Sequence, residues 1–172
     1  MSVFIVKADI DCKQQGTNQD KPMQPIAMQI TREPGNDDIE LPAYKSEAAS
    51  GMDVRAANAE PLTLPPGGIK LIPTALRVAV PTGFEVQVRP RSGLALKNGI
   101  IVVNSPGTID ADYRGPVGII LGNLGTAPFV INRGDRIAQL VIQKVEHVKV
   151  ELVDALDDTV RGEGGFGSSG VS

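Results

Sequence analysis

Two aspartates stand two residues apart, at 110 and 112, in Asn104-Ser-Pro-Gly-Thr-Ile-Asp-Ala-Asp-Tyr-Arg-Gly115. On an extended strand both carboxylates point to one face; on a turn they need not. A carboxylate beside an electrophilic phosphorus can orient and deprotonate water. A hairpin rich in turn formers would use the same residue types without chemistry. Further upstream, Arg89-Pro-Arg-Ser-Gly-Leu-Ala-Leu-Lys97 sets a Ser-Gly pair behind a candidate strand. Backbone N–H groups, a hydroxyl and arginine charge suit a phosphate, and a solvated surface turn has the same composition. Asp53 follows a glycine in Ala49-Ser-Gly-Met-Asp-Val54, where a turn residue is the plain alternative. In Arg133-Gly-Asp-Arg-Ile-Ala-Gln-Leu-Val141 the Gln139 amide could serve an anion or pair across strands. The Arg-Gly-Asp tripeptide there matches a cell-adhesion signal, but nothing else points to secretion.

The chain has six aromatic residues, four Phe and two Tyr, and no Trp. Cores usually claim such rings, because each buries ~150–250 Å². Tyr113 and Phe166 instead sit in polar, Gly-rich stretches. Either the positions are incidental, or each ring offers a flat face to a ligand. In the second case Arg161-Gly-Glu-Gly-Gly-Phe-Gly-Ser-Ser-Gly170 is a lid that orders over a bound partner. Its glycines are not a dinucleotide loop, which requires a strand before and a helix after.

These residues need a scaffold. The chain is 172 residues long, 41% apolar and 22% charged, with room for one domain and a core. Nineteen Gly and 13 Pro cut it into short segments, so long helices are not expected. Apolar, β-branched runs fall at Ile69–Val80, Phe84–Val88, Ile100–Val103, Val117–Leu121 and Pro128–Ile131. Between them lie turn signals such as Pro65-Pro-Gly-Gly68, Pro81-Thr-Gly83 and Asn132-Arg-Gly134. Many short strands at this spacing predict an all-β barrel or sandwich. Residues 135–161 contain no Gly or Pro and fit either a helical face or strand alternation; their β-branched content leans to strand. Residues 1–25 read as a polar, flexible extension.

Several classes fall away. No apolar run approaches the ~18 residues of a membrane helix, and the N-terminal stretch is charged too early for a secretory signal. One cysteine, Cys12, gives no disulfide framework and suits a reducing, cytoplasmic setting. One histidine, His147, leaves no His/Cys zinc set and no convincing Ser-His-Asp triad. A net charge of −3 and a pI near 5.2 argue against nucleic acid or anionic membrane as partner.

Taken in order, Ser50-Gly-Met-Asp53, Pro90-Arg-Ser-Gly-Leu-Ala95, Gly107-Thr-Ile-Asp-Ala-Asp-Tyr-Arg-Gly115, Arg133-Gly-Asp-Arg-Ile-Ala-Gln139 and Arg161–Gly170 resemble the five motifs of the trimeric dUTP pyrophosphatases. The likeness runs from about Ile26 to Gly170; Ser-Ser-Gly replaces a common Ser-Thr-Gly in the tail and keeps the hydroxyl. The resemblance implies an all-β fold, a distorted barrel or jelly roll of short strands (the β-clip of that family), with a flexible C-terminal arm. It implies a catalytic domain over 26–153, with residues 135–153 as strand, and an arm over 154–172 that orders on substrate; the extension over 1–25 lies outside the family pattern.

It also implies roles. dUTP would be hydrolysed to dUMP and pyrophosphate, limiting uracil in DNA and supplying dUMP for thymidylate synthesis. Asp110 would activate the water that attacks the α-phosphorus in line. Asn104, Gly107, Thr108 and Ile109, in a hairpin between Ile100 and Tyr113, would read uracil. Tyr113 would pack on the deoxyribose and exclude a 2′-hydroxyl, and Phe166 would stack on the base. Arg91, Ser92, Gly93, Gln139, Arg161, Gly167, Ser168 and Ser169 would hold the phosphates. Mg²⁺ would ride on the triphosphate, with Asp53 reaching it only through a metal-bound water. Three copies would share their sites, the tail coming from a neighbour. Two rivals use the same fold: a dCTP deaminase, whose glutamate base has no counterpart in Arg114-Gly-Pro-Val-Gly-Ile-Ile-Leu121, and a nucleotide-gated regulatory binding module.

Overall fold

The structure, a computed structural model, describes residues 26–165. The extension over 1–25 and the tail residues Phe166, Gly167, Ser168 and Ser169 lie outside them. Eleven strands and one short helix make up the described chain. They are β1 (Gln29–Arg32), β2 (Ala43–Tyr44), β3 (Met52–Arg55), β4 (Leu62–Leu64), β5 (Ile69–Ala79), β6 (Phe84–Arg89), α1 (Ser92–Asn98), β7 (Ile100–Val102), β8 (Gly107–Ile109), β9 (Val117–Asn123), β10 (Phe129–Ile131) and β11 (Arg136–Lys144).

All pairings are antiparallel, in three sheets. One sheet runs β1-β5-β9-β7, a second β2-β3-β11-β6-β8, and β10 pairs with β4. The all-β expectation holds, with open sheets and not a closed barrel. Side chains alternate as the strand period requires. On β6, Val86 and Val88 are buried while Glu85, Gln87 and Arg89 are half-buried on the other face. The inward sets meet in one core that includes Val54, Leu64, Ile72, Ile119, Ile131 and Leu140. Each such aliphatic side chain contributes roughly 1.5–3 kcal/mol of burial.

Two irregularities shape the regions described below. Strand β5 slips register against β9 between Pro73 and Leu76. Proline lacks the N–H a ladder needs, so it belongs at such a break. Ala75 there takes φ 56, and buried Thr74 donates its hydroxyl to the Val117 carbonyl at 2.6 Å. Strand β11 slips against β3 between Arg136 and Ala138.

Three expectations change. The Ser-Gly segment opens α1, seven residues long, which stops at Gly99 in the left-handed region (φ 68) with its N–H on the Ala95 and Leu94 carbonyls. The segment from Ile100 to Tyr113 is not a paired hairpin. Strand β7 joins β9 and β8 joins β6, in different sheets. The connecting Asn104-Ser-Pro106 carries a cis Ser105–Pro106 bond, and Pro106 has no N–H to give a ladder. Finally, the strand expected over 135–153 ends at Lys144. Its partner β6 begins at Phe84, opposite Lys144, so beyond the Val145 N–H on the Gly83 carbonyl the ladder has no partner among the described residues. Val148, Val150 and Leu152 are 82–100% exposed. No helix among the described residues is long and apolar enough to cross a membrane.

Candidate active site

The first cluster sits where β3, β11 and β6 lie side by side. Gln139 faces Asp53 across one ladder and Arg89 across the other. The Asp53 carboxylate lies 3.0 Å from Arg91 Nε and 3.0 Å from Arg136 Nη1. Arg91 Nη1 also donates to the Arg136 carbonyl at 2.8 Å, and Gln139 Nε2 donates to the Pro90 carbonyl at 2.9 Å. Two guanidinium groups against one carboxylate leave net positive charge at a corner where only 17% of the Asp53 side chain is exposed. Such a corner suits an anion. Ser92 and Gly93 follow at once, both exposed, and nothing lies within 4 Å of where a Gly93 Cβ would be. Gly51 completes the packing. A Cβ there would overlap Gln139 Oε1 and lie 3.1 Å from Cδ, so the glutamine crosses a place only glycine leaves free.

Arg136 was not among the expected phosphate ligands. Strict alternation puts residues 136 and 139 on opposite faces of a strand. The register slip between 136 and 138 reverses that parity, so both meet Asp53. Arg133, by contrast, is a structural clasp. It grips Asp38 through Nε and Nη2 at 2.7 and 2.8 Å and also reaches the Ala57 carbonyl and Asn36. The guanidinium hydrogen bond holds the Asp38 carboxyl below its ordinary pKa. This accounts for the Arg-Gly-Asp sequence without adhesion.

The second cluster is at the far end of β8. Asp110 follows the last β8 residue, and the Tyr113 N–H closes a turn on the Asp110 carbonyl at 3.1 Å. Asp110 and Asp112 therefore sit on a turn, not a strand face. A cavity of about 410 Å³ opens here, lined by Thr108, Ile109, Asp110 and Tyr113 together with Thr74 and Ala75 of the β5 bulge. Asn104 and Gly107 do not line it. Asn104 instead lies over Gly107, its Nδ2 3.1 Å from where a Gly107 Cβ would be. Arg114 Nη1 ties the loop by donating to the Ala111 and Tyr113 carbonyls, both at 2.7 Å. Arg77 Nη1 holds the Arg114 carbonyl at 3.1 Å and pairs through Nη2 with Glu33 at 3.2 Å. Sequence reasoning missed Arg77, inside β5, and Glu33, just past β1, because neither belongs to a motif and only the fold brings them together.

The two clusters are apart within one chain. From β3 to β8 is three strand spacings, and the Asp110 level is four residues down β6 from the Arg89 level. At ~4.8 Å per strand and ~3.3 Å per residue, that is about 19 Å. Arg161 joins neither cluster; its Nε bonds the Gly164 carbonyl within its own turn. Among the described residues there is no group of three or more His, Cys, Asp or Glu placed to hold a metal.

Comparison with known proteins gives the family. The model of the family described as dUTPase matches residues 37–170. A deoxyuridine 5'-triphosphate nucleotidohydrolase of Rickettsia akari (strain Hartford) is 57% identical over 131 residues, covering 76% of this chain and 88% of that protein. One of Rhizobium etli (strain CIAT 652) is 54% identical over 146 residues, covering 84% and 94%. Among solved structures, the Staphylococcus bacteriophage 80alpha dUTPase with dUpNHpp superposes with a TM-score of 0.74 at 26% identity, over 84% of this chain and 99% of that one. A mutant dUTPase from phage phi11 of S. aureus, described with a structural Mg(II) ion, has a TM-score of 0.68 at 23% identity, over 77% and 99%, a likeness of fold. With a family match over most of its length and relatives above half identity, the chain belongs to the dUTPase family.

Proposed function

We infer that this chain is a dUTP diphosphatase, converting dUTP and water to dUMP and pyrophosphate. Family membership supports the overall reaction, and the observation that carries the division of labour is the separation of two clusters. One has a carboxylate and an aromatic ring on a cavity wall, Asp110 and Tyr113. The other has a positive corner beside an open Ser-Gly turn. The first suits a nucleoside and a water to be deprotonated; the second suits a polyphosphate.

Asp110 takes a proton from the water that attacks the α-phosphorus, and pyrophosphate leaves on the opposite side. Phosphoryl transfer of this kind gains most from positioning and charge stabilisation. Arg91, Ser92, Gly93 and Gln139 hold the phosphates, with Arg136 as a further cation. The tail residues Arg161, Phe166, Gly167, Ser168 and Ser169 cover the bound nucleotide and exclude water. Asn104 and the backbone of Gly107, Thr108 and Ile109 read the uracil edge. Tyr113 packs on the deoxyribose.

Mg²⁺ fits this site in one manner. Both Asp53 oxygens are engaged by guanidinium groups, and no carboxylate cage is present among the described residues. The ion would therefore be carried by the triphosphate and its waters, as Mg²⁺ prefers, with Asp53 acting through water. When bound, it neutralises phosphate charge.

Cα positions of the two clusters stand about 19 Å apart on one sheet, a span that one nucleotide and the side chains holding it would have to fill from end to end if both clusters belonged to one chain. The reading supported is a closed homotrimer in which the Asp110 loop of one copy faces the Asp53 corner of another. The test is pyrophosphate release from dUTP, dTTP, dCTP and UTP side by side with Mg²⁺. Turnover confined to dUTP is expected; equal turnover of all four overturns the reading.

A further inference from the structure

The Tyr113 ring lies folded back on its own loop. Its hydroxyl donates to the Pro116 carbonyl at 3.2 Å, so the ring crosses the backbone at Gly115. A Cβ built on Gly115 would overlap the Tyr113 hydroxyl oxygen and lie 2.5 Å from Cζ and 2.9 Å from Cε2. Favourable carbon contacts need ~3.5–4.0 Å. Gly115 is not among the residues with positive φ. Its backbone would therefore accept alanine, and what forbids a side chain is the ring.

The backbone has little freedom to yield. The preceding carbonyl, of Arg114, is held by Arg77, which is itself paired with Glu33. The Arg114 side chain fastens the Ala111 and Tyr113 carbonyls. Tyr113 is 44% exposed and borders the 410 Å³ cavity, so the ring has room to move where the loop does not.

We propose that Gly115 is a specificity-determining position of the dUTPase site: its missing Cβ seats the Tyr113 ring flat on the loop and so sets the shape of the sugar pocket that refuses a 2′-hydroxyl. The inference rests on the sugar role of Tyr113 given above. Gly115 touches no substrate and acts through the ring. Rejection of a ligand that differs by one hydroxyl is worth on the order of 10²-fold where no hydrogen bond enforces it. A ring off its seat forfeits a good part of that.

The experiment measures kcat/KM for dUTP and for UTP in the full chain and in Gly115→Ala, Tyr113→Ala and the double variant. Gly115→Ala is expected to lower the dUTP/UTP ratio about tenfold. Tyr113→Ala lowers it at least as far, and the double variant falls no further than Tyr113→Ala alone. A wild-type ratio in Tyr113→Ala overturns the sugar role and the proposal with it. A lowered ratio in Tyr113→Ala beside a wild-type ratio in Gly115→Ala overturns the proposal alone, as does a further fall in the double variant. An independent readout exists because the chain has no Trp and only two tyrosines. In a Tyr44→Phe background the tyrosine emission reports Tyr113, quenched while its hydroxyl is bonded to a carbonyl. Gly115→Ala should raise that emission, and unchanged emission counts against the displaced ring. Should Gly115→Ala alone fail to fold, recovery of folding in the double variant, where the overlap is gone, supports the clash; failure of both overturns it.

Discussion

The Asp53 corner and the Asp110 loop are built differently. The corner stands on three paired strands and centres on an ion cluster, Asp53 between two arginines, with Arg91 and Gln139 anchored on backbone carbonyls besides. The loop follows a three-residue edge strand and is tied by side chains reaching to backbone oxygens, those of Arg77 and Arg114. Between them runs a ladder on β6, Arg89 to Gln87 to Glu85 at 2.6–3.0 Å. A phosphate group is much alike whatever nucleoside carries it, so a rigid charged corner can hold it. A base, a sugar and an attacking water need finer shaping, and here that falls to a turn whose side chains face a cavity.

The sharpest break in this comparison is Asp110→Asn. It should lower kcat about 10³-fold, within the usual range for losing a general base, while nucleotide affinity changes less than about threefold. Rapid-quench turnover and equilibrium titration separate the two, and near-wild-type kcat refutes the base assignment. Next comes complementation. If the regions act in different copies, co-expressed Asp110→Asn and Arg91→Ala/Gln139→Ala chains, paired only if each is first found inactive alone, form mixed trimers in which about one site in four is intact. Roughly a quarter of wild-type turnover should then return, whereas a site within one chain restores none. Gly51→Ala probes the corner alone. It pushes Gln139 off the Pro90 carbonyl and should raise KM for dUTP about fivefold, the scale of one hydrogen bond, with kcat held within about twofold. The smallest effect concerns the scaffold between the regions. Ala75→Gly relieves a left-handed alanine that costs ~1–2 kcal/mol, offset in part by glycine's unfolded-state entropy. The lost methyl, buried beside Ile39 and Ala57, removes about 0.8 kcal/mol more, so a net change within about 0.8 kcal/mol is expected, read as a nearly unchanged melting temperature; a loss above about 1 kcal/mol shows that the bulge is not strained.

Much of the fold was readable before the structure. The apolar runs at 69–80, 84–88, 100–103 and 117–121 became β5, β6, β7 and β9 to within two residues, because β-branched periodicity and Gly/Pro punctuation are local signals. Partner choice was not local. The run from Ile100 to Tyr113 looks like a hairpin, yet its arms joined different sheets. Residues 145–153 have strand composition, but β6 ends before they could pair. The short helix at Ser92 was hidden because seven residues show too little periodicity.

The candidate site divides along the same line. Residue type and motif order were enough to single out Asp53, Arg91, Asn104, Asp110, Tyr113 and Gln139, since the chemistry each can perform is written in its side chain. Whether Arg136 and Gln139 share a face depended on a one-residue slip in β11, and strand parity cannot register a bulge that only pairing creates. The hold of Arg77 and Glu33 on the Asp110 loop arises where segments far apart in the chain pack together, and the overlap that reserves position 115 for glycine, though local, exists only in the orientation the folded loop gives the Tyr113 ring. The sequence by itself determined which chemical groups are present and in what order; three-dimensional packing decided which of them meet.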